Sequence, residues 1–351
     1  MGMDQEQTPH KRRVRYKGKY PRKFEEKYKE LQPEKYQDTI EHVIKKGNTP
    51  AGMHISIMVQ EILDTLNIQP GETGFDATLG YGGHTKAMLA CLNGQGHIYA
   101  TDVDPEESAK TKKRLEELGY GEDILTIRLQ NFCTIDEIAK EAGGFDFILA
   151  DLGVSSMQID NPKRGFSFKV DGPLDLRLNQ EAGISAAERL DTITREELAG
   201  MLYENSDEPY CEELAKAITD EIRKGSRIDT TTKLREVIEK TLDFLPEKEK
   251  KDTIKKTCQR TFQALRIDVN REFEVLYEFM EKLPDALKPG GRVAILTFHS
   301  GEDKLVKKAL KEGCRAGIYA DYSKDVVRPS AQECAQNGRA RSTKMRWAVR
   351  A

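Results

Sequence analysis

A glycine-rich turn and a nearby acidic residue are the part of this sequence best suited to hold a ligand. The turn contains Gly80, Gly82 and Gly83 and is followed by His84. Glycine is favoured where a backbone turns sharply or where a ligand approaches with no Cβ in the way. Asp102 follows the next apolar segment, a place where an acid can accept hydrogen bonds from both hydroxyls of a ribose. We therefore predict a nucleoside-containing ligand at this turn.

The charges near the turn favour S-adenosylmethionine (SAM) over a nicotinamide dinucleotide. The turn reads G-x-G-G-H and lacks the third glycine of the dinucleotide fingerprint G-x-G-x-x-G. A dinucleotide site must bind pyrophosphate, whereas SAM carries a sulfonium cation and no phosphate. Acids that suit a cation fall at predicted strand ends: Asp76, Asp102, Asp104 and Asp151. We predict SAM as the cofactor and regard a nicotinamide-dependent oxidoreductase as the weaker alternative.

Alternating strands and helices must position these residues. The run Phe145–Leu152 is continuously apolar and ends in an acid, as in a parallel strand that is buried on both faces. Ligands of open α/β sheets bind beyond the carboxyl ends of such strands. The pattern predicts an α/β fold with strands over Gly74–Thr78, His97–Thr101, Ile124–Leu129, Phe145–Leu152, Arg292–Phe298 and Lys344–Val349.

A helical block separates two of these predicted strands. Apolar residues recur at helical spacing over Ile55–Leu66, Ala186–Leu190, Glu196–Tyr203, Cys211–Ile222, Thr232–Phe244 and Ile254–Met280. A mostly helical stretch between two strands of one sheet indicates an inserted domain. We predict a SAM-binding domain over residues 51–160 and 265–351, with an inserted helical substrate-recognition domain over residues 161–264.

The first fifty residues form a basic, polar extension. Residues 11–20 combine lysines and arginines with two tyrosines, a mixture typical either of an RNA-binding arm or of a solvated tail with no partner. The chain of 351 residues has a net charge of only −3, so attraction to nucleic acid must come from local patches. No apolar run has the length of a membrane span and no secretory signal is recognisable, so we expect a cytoplasmic protein. The six cysteines lack zinc-ligand spacing, and we predict no metal.

Several separated motifs resemble those of the RsmH (MraW) family of SAM-dependent methyltransferases. They are LGYGGHT, DVDP, DLGVSSMQIDNPKRGFSFKVDGPLDLRLN, TFQALRIDVNRE, GGRVAILTFHSGED and RPS…NGRARS. The resemblance runs from about Met53 to the C-terminus and implies a Rossmann-like methyltransferase sheet with an inserted helical domain. It also implies methylation of the exocyclic N4 of a cytidine in small-subunit (16S) ribosomal RNA, as free RNA or in the small ribosomal subunit. The resemblance implies SAM contacts by Gly82, Gly83, His84, Asp102, Phe132, Asp151 and Gln158.

The sequence departs from the family pattern at several positions of these motifs. Tyr81 stands where an arginine is usual, Ala77 where a glycine is usual, and Gly301 and Gly338 replace a leucine and a proline. These changes leave open a catalytically weak or inactive SAM-binding ribosome-assembly factor, and a methyltransferase that acts on a different RNA nucleotide. The sequence does not fix the oligomeric state, and a homodimer stays open.

The expected chemistry suggests candidates for catalysis. The lone pair of a cytosine amine is shared with the ring, so a hydrogen-bond acceptor on the amine would make it a better nucleophile. We expect this acceptor in the loop after Phe145–Leu152, as the Asp151 carboxylate or a backbone carbonyl near Ser155. His299 follows another strand end and is the third catalytic candidate, with a purely structural histidine as the alternative.

Further residues are candidates for RNA contacts. A target base must be unpaired or flipped to reach such a site. Phe166 and Phe168 are predicted to stack on it, with packing between domains as the alternative. Phosphate contacts are predicted for Arg164, Arg177, Arg339 and Arg341.

Overall fold

Seven strands form one sheet in the computed structural model, which describes residues 56–351. The order across the sheet is β3-β2-β1-β4-β5-β7-β6, and β7 runs antiparallel to both of its neighbours. The strands are β1 (Thr73–Asp76), β2 (His97–Asp102), β3 (Leu125–Leu129), β4 (Phe145–Asp151), β5 (Leu287–Thr297), β6 (Tyr319–Tyr322) and β7 (Lys344–Arg350).

Helices connect these strands and cover the sheet. In chain order the α-helices are α1 (Val59–Leu66), α2 (Gly83–Leu92), α3 (Pro105–Glu117), α4 (Ile135–Ala142), α5 (Ser156–Asp160), α6 (Ala186–Thr192), α7 (Arg195–Ser206), α8 (Cys211–Arg223), α9 (Thr231–Thr241), α10 (Glu247–Asn270), α11 (Glu272–Ala286), α12 (Ser300–Arg315) and α13 (Ala331–Gln336). Short 3₁₀ turns lie at Phe132–Thr134, Pro162–Arg164 and Gly338–Ser342. None of the helices within residues 56–351 combines the length and the apolarity that a membrane span requires.

Both faces of the sheet are buried, as the continuous apolarity of β4 predicts. Phe147 and Leu149 pack with α1, α2 and α3 on one face, whereas Ile148 and Ala150 pack with α4, α11 and α12 on the other. Alternate residues of a strand point to opposite faces, so a strand between two helical layers must be apolar almost throughout. The predicted α/β class with a Rossmann-like sheet is confirmed.

The register brings the acidic strand ends together. Asp76 of β1 pairs with Ala100 on one side and Leu149 on the other, so the ends of β2 and β4 lie beside it. Asp102 and Asp151 are the last residues of those two strands. The carboxyl edge of the sheet therefore presents three carboxylates from neighbouring strands.

The helices between β4 and β5 have an apolar core of their own. Buried residues of α6 to α10 pack together, including Leu198, Leu214, Leu234 and Leu265. α10 continues without a break through residue 264, where the sequence-based boundary was placed. The division into a SAM-binding domain and an inserted recognition domain stays a prediction.

Some predicted elements differ from those observed. The helix predicted over Ile254–Met280 is two helices, because Arg271 takes a left-handed conformation (φ 51°) and redirects the chain. Within the described residues the first helix starts at Val59, since Met58 is also left-handed. The predicted turn at residues 289–291 lies inside β5, beside an irregularity in its pairing with β4. The basic run at residues 11–20 lies outside the described residues.

Candidate active site

A cleft of about 340 Å³ opens at the carboxyl edge of β1, β2 and β4. The glycine turn and the start of α2 form one wall, and the loop from β4 into α5 forms another. Residues of α10 and α11 close the far side, and Ser56 and Ile57 lie across the glycine turn. The cleft thus collects segments that are far apart in the sequence, and all eight predicted cofactor residues line it.

The glycines of the turn make room for the protein itself. Gly82 has φ 79°, and a Cβ there would lie 2.7 Å from the Thr111 side chain. A Cβ on Gly83 would lie 2.0 Å from the Ser56 hydroxyl oxygen. Glycine is therefore needed because α3 and residue 56 approach the turn closely. The sequence analysis had given a sharp turn and the approach of a ligand as the reasons for these glycines, and the close packing of the protein is an additional one.

Asp102 is tied to the glycine turn. Its carboxylate accepts hydrogen bonds from the backbone N–H groups of Gly80 at 2.8 Å and Asp104 at 2.9 Å. Burial raises the pKa of Asp102 to about 6, against the opposing effect of these two hydrogen bonds. Each oxygen still has lone-pair capacity for a second donor, which is what two ribose hydroxyls require.

Phe132 has one side toward the cleft and another toward the protein interior. Its ring lines the cleft and also packs edge-on against Phe279 of α11, with ring centroids 5.2 Å apart. One side of the ring thus belongs to the apolar layer over the sheet. A flat purine could cover the side that faces the cleft.

Asp151 lies at the floor of the cleft beside His84. Its Oδ2 is 3.4 Å from His84 Nδ1, whereas its buried Oδ1 has no hydrogen-bond partner among residues 56–351. Burial raises the pKa of Asp151 to about 6; His84 opposes this shift, and the negative charges of Asp76 and Glu302 add to it. A carboxylate with unused acceptor capacity in a cleft is suited to accept a hydrogen bond from a ligand.

The two nitrogens of the His84 ring both face protein groups. Nε2 lies 2.9 Å from the carbonyl oxygen of Ile57, and Nδ1 faces Asp151. The side chain is 8% exposed. A cofactor contact predicted for this residue would therefore use its backbone rather than the imidazole nitrogens.

Ser155 and Gln158 are engaged with each other at the start of α5. The Ser155 hydroxyl accepts a hydrogen bond from the Gln158 backbone N–H at 3.2 Å, and Gln158 Oε1 accepts one from the Ser155 N–H at 2.9 Å. This reciprocal capping box satisfies N–H groups that a helix start leaves without partners. Gln158 Nε2 also donates to Asp104 Oδ2 at 2.9 Å. Both residues line the cleft, but these hydrogen bonds mainly stabilise the start of α5.

Arg164 is buried and does not reach a surface phosphate. It is 4% exposed and forms an ion pair with Asp104, whose side chain is fully buried. One of its N–H groups also donates to the Leu178 carbonyl at 2.7 Å. The phosphate contact predicted for Arg164 is therefore not supported, because its charge is used to hold the loop after β4 against the start of α3.

The predicted stacking phenylalanines pack in or against the apolar core of the helical residues. Phe166 is 9% exposed and belongs to the core of the helical residues. Phe168 packs edge-on against Phe262, with centroids 5.7 Å apart. Neither lines the cleft at the carboxyl edge of the sheet. The alternative interpretation, packing, describes both rings.

The remaining predicted arginines occupy three different settings. Arg177 forms two hydrogen bonds of 2.8 Å with the carboxylate of Asp175. Arg339 lines the cleft and pairs with Asp160 at 2.9 Å. Arg341 is exposed and donates a 3.3 Å bond to the Cys334 carbonyl, so its charge faces solvent.

His299 lies behind the cleft wall rather than in it. Its Nε2 is 3.2 Å from Glu302 Oε1, and its ring meets the edge of Phe273 at 5.7 Å. The contact with His299 holds the pKa of Glu302 below its ordinary value although burial acts to raise it. These contacts support the alternative that His299 is a purely structural histidine. Glu302, rather than His299, lines the cleft.

A charged cluster at this wall was missed from the sequence. Arg266 forms a two-pronged ion pair with Glu272, at 2.7 and 2.8 Å, and both line the cleft near Glu302. Donor atoms of Glu272, His299 and Glu302 lie within 4.8 Å of one another, as metal ligands would. Arg266 already supplies a cation to both oxygens of Glu272, however. The motif TFQALRIDVNRE contained the arginine and the glutamate, but its helical pattern gave no sign that they would meet.

The charges of the residues that line the cleft indicate which cofactor can bind there. Four of its described lining residues are acids, namely Asp102, Asp151, Glu272 and Glu302, and the lining arginines, Arg266 and Arg339, are both paired with carboxylates. A pyrophosphate would find no unpaired basic side chain among these described residues, whereas a sulfonium cation is favoured by the excess of acids. The donor set therefore fits SAM and disfavours a nicotinamide dinucleotide.

Comparison with known proteins shows that the chain is similar to one family of methylases. The family model described as "MraW methylase family" matches residues 51–351. "Ribosomal RNA small subunit methyltransferase H 1" of Agathobacter rectalis is 86% identical over 346 residues, covering 99% of each chain. The protein of the same name from Lachnoclostridium phytofermentans is 69% identical and covers 99% of this chain and 95% of its own. "Ribosomal RNA small subunit methyltransferase H" of Acidobacterium capsulatum is 36% identical, covering 84% of this chain and 97% of its own.

Proposed function

Since the chain belongs to the MraW methylase family, we propose that it transfers a methyl group from SAM to N4 of a cytidine in 16S ribosomal RNA. The named relatives act on small-subunit ribosomal RNA, and the two with the higher identities cover nearly the whole chain. The position on the base goes beyond those names; cytidine N4 is the target that the resemblance to the RsmH (MraW) family implies. The observation that supports an exocyclic amine as the methyl acceptor is the Asp151 carboxylate, which lies in an acidic cleft with unused acceptor capacity.

Asp102 and Phe132 are proposed to hold the nucleoside part of the cofactor. Asp102 ends β2 with both oxygens at the cleft side of the glycine turn, where they can accept bonds from ribose hydroxyls. Phe132 offers a ring face to the base. Gly80, Gly82 and Gly83 shape the turn so that the start of α2 borders the cofactor. Gln158 keeps α5 in place through Asp104.

Asp151 is proposed to accept a hydrogen bond from the exocyclic amine. When bound, SAM supplies a methyl group on a positively charged sulfur. Asp151 orients the amine by accepting a hydrogen bond from one of its N–H groups. This bond leaves more lone-pair density on the amine nitrogen. Asp151 then takes the proton that this nitrogen must lose as the N–C bond forms and the methyl C–S bond breaks, with that bond's electron pair left on the sulfur. Its raised pKa suits this step, because a base with a pKa near the working pH both stays ionised and accepts a proton readily.

Positioning accounts for much of the expected rate enhancement. Correct alignment of reactants can supply on the order of 7–11 kcal/mol of a barrier. The cleft is bounded by rigid strand ends and by a loop whose start is fixed, since the Asp151 N–H donates to the Thr78 hydroxyl at 2.8 Å. These contacts hold the carboxylate still relative to the glycine turn.

Delivery of the base is proposed to involve the helical residues 161–264 and the C-terminal arginines. The target must leave any stack or pair to reach Asp151. Arg341 is exposed and can meet a phosphate that flanks the flipped nucleotide. Arg339 lines the cleft and would have to exchange its ion pair with Asp160 for such a phosphate. Since the proposed substrate is ribosomal RNA, we propose that the protein acts in the cytoplasm.

Methyl transfer with purified components tests the proposal. We expect labelled SAM to modify 16S RNA, as free RNA or in small subunits, and Asp151→Asn to lose most of the rate while it still binds SAM. Asp252→Asn, in the exposed part of α10, is the matched control and should keep the wild-type rate. SAM binding without transfer to either substrate would instead favour an inactive assembly factor.

A further inference from the structure

His84 links the segment that crosses the glycine turn to the carboxylate on the floor of the cleft. Its Nε2 lies 2.9 Å from the Ile57 carbonyl oxygen and its Nδ1 lies 3.4 Å from Asp151 Oδ2. Ile57 and Asp151 both line the cleft, on opposite sides of the ring. One buried side chain therefore touches two parts of the site that are 94 positions apart in the chain.

The segment on the Ile57 side, residues 56–58, is held in place from three directions. The Met58 N–H donates to Glu333 Oε1 at 2.9 Å, and the Met58 side chain is fully buried. Ser56 packs directly on Gly83, where a Cβ would overlap its hydroxyl oxygen. The contact between His84 and Ile57 is the third. Because His84 also faces Asp151, this contact connects residues 56–58 to the proposed reacting carboxylate.

The Ile57 carbonyl determines how the ring is protonated. A carbonyl oxygen accepts hydrogen bonds and cannot donate one, so the 2.9 Å contact requires a hydrogen on Nε2. In the neutral ring Nδ1 is then the acceptor, and it faces Asp151 Oδ2. A proton that reaches Asp151 from the amine can therefore be shared with Nδ1, and 3.4 Å leaves room for this contact to shorten.

We propose that His84 is a positioning residue with two separable functions, one toward each neighbour. Through Nε2 it holds residues 56–58 over the cofactor, and through Nδ1 it shares the proton that Asp151 receives. This inference rests on the proposed methyl transfer for its second function, whereas the first concerns cofactor binding alone. The other ionisable groups that face the pair are Asp76 at the end of β1, bound to Thr85 at 2.6 Å, and Glu302 in α12.

Two substitutions separate the functions. A glutamine amide can reach the position of Nε2, and an asparagine amide can reach that of Nδ1. We expect His84→Gln to lower kcat about tenfold or more while the Kd for SAM changes less than about threefold. We expect His84→Asn to raise the Kd for SAM about tenfold, a larger change than its loss of kcat. His97→Gln is the control with no expected effect on either, because His97 starts β2 and bonds to Asp123 and Thr126.

A spectroscopic measurement on the unmodified protein keeps the test independent of the variants. The ring ¹⁵N shifts of His84 at pH 8 should show the Nε2–H tautomer, and an Nδ1–H tautomer would overturn the proposal. Equal losses of kcat and SAM affinity in both variants would also overturn it, since the two functions would not be separable. If the wild-type protein binds SAM but methylates no RNA, the proposed function fails, and the tautomer and the SAM affinities still test the link to residues 56–58.

Discussion

The Asp102 carboxylate accepts a hydrogen bond from the Gly80 N–H at 2.8 Å, which joins the end of β2 to the turn after β1. The turn and the proposed ribose acceptor therefore form one unit. We predict that Asp102→Ala weakens SAM binding at least tenfold, about 1.4 kcal/mol, because charge-assisted bonds to the ribose are lost. Calorimetric titration measures this directly. Asp252→Ala is the matched control, and an affinity for Asp102→Ala equal to that control would refute the assignment of Asp102.

Replacement of Asp151 should have opposite effects on activity and stability. Burial raises its pKa from 3.8 to about 6, so the ionised side chain costs the folded state up to about 3 kcal/mol above pH 6. We predict that Asp151→Asn is inactive yet more stable than the wild type at pH 7.5. Denaturant unfolding of both proteins measures the difference. A less stable variant would show that the carboxylate is needed for folding.

The raised pKa of Asp151 also predicts how stability and activity depend on pH. The folded protein binds the Asp151 proton more tightly than the unfolded chain, so this group's stabilising contribution is present at low pH and is lost as pH rises from 3.8 to about 6. The stability advantage of Asp151→Asn should therefore grow across that interval and stay constant above it. Wild-type kcat should rise over the upper part of the same range, because only the carboxylate accepts the amine proton. A kcat that is independent of pH between 5 and 7 would contradict this role.

Arg164 is predicted to stabilise the fold rather than to bind RNA. Its partner Asp104 is fully buried, so Arg164→Ala leaves a buried carboxylate without its cation and should cost about 3 kcal/mol. Arg223→Ala is the control, because that side chain is 72% exposed and should change stability by less than about 0.5 kcal/mol. Thermal or denaturant unfolding separates the two. Equal stability of both variants would mean that the Asp104 charge is met by its N–H donors alone.

Arg341 is the predicted phosphate contact that the structure leaves most accessible. We predict that Arg341→Ala weakens RNA binding and lowers the slope of log K against log salt by about 0.7–0.9, the value for one phosphate. SAM affinity should not change. RNA titrations at several salt concentrations measure the slope, with Lys140→Ala as the control because that side chain is 80% exposed and lies outside residues 161–264. An unchanged slope would place the phosphate contacts elsewhere.

The strands and the glycine turn could be predicted because their signals are local. β4 is a continuous apolar run that ends in Asp151, and burial on both faces follows directly from that pattern. Asp102 could be placed at the cleft because carboxyl ends of parallel strands share one edge. β6 was not predicted, since its four residues Tyr319–Tyr322 do not alternate between apolar and polar positions.

Side chains whose function depends on distant partners could not be assigned from the sequence. Arg164 looked like a surface arginine, because nothing near it in the chain reveals Asp104, 60 residues earlier. Arg266 and Glu272 are close in sequence, but they meet only because Arg271 ends α10 in a left-handed conformation. Such a conformation is unusual for arginine, and no residue pattern indicates it.

Nucleoside mass spectrometry of 16S ribosomal RNA tests the central claim most directly. RNA from cells that lack this protein should be compared with RNA from the same cells complemented by the wild type or by Asp151→Asn. We predict N4-methylated cytidine at one position with the wild type, and its absence in the deletion and in the Asp151→Asn strain. The same methylated cytidine at wild-type level in the deletion strain or with Asp151→Asn would contradict the account.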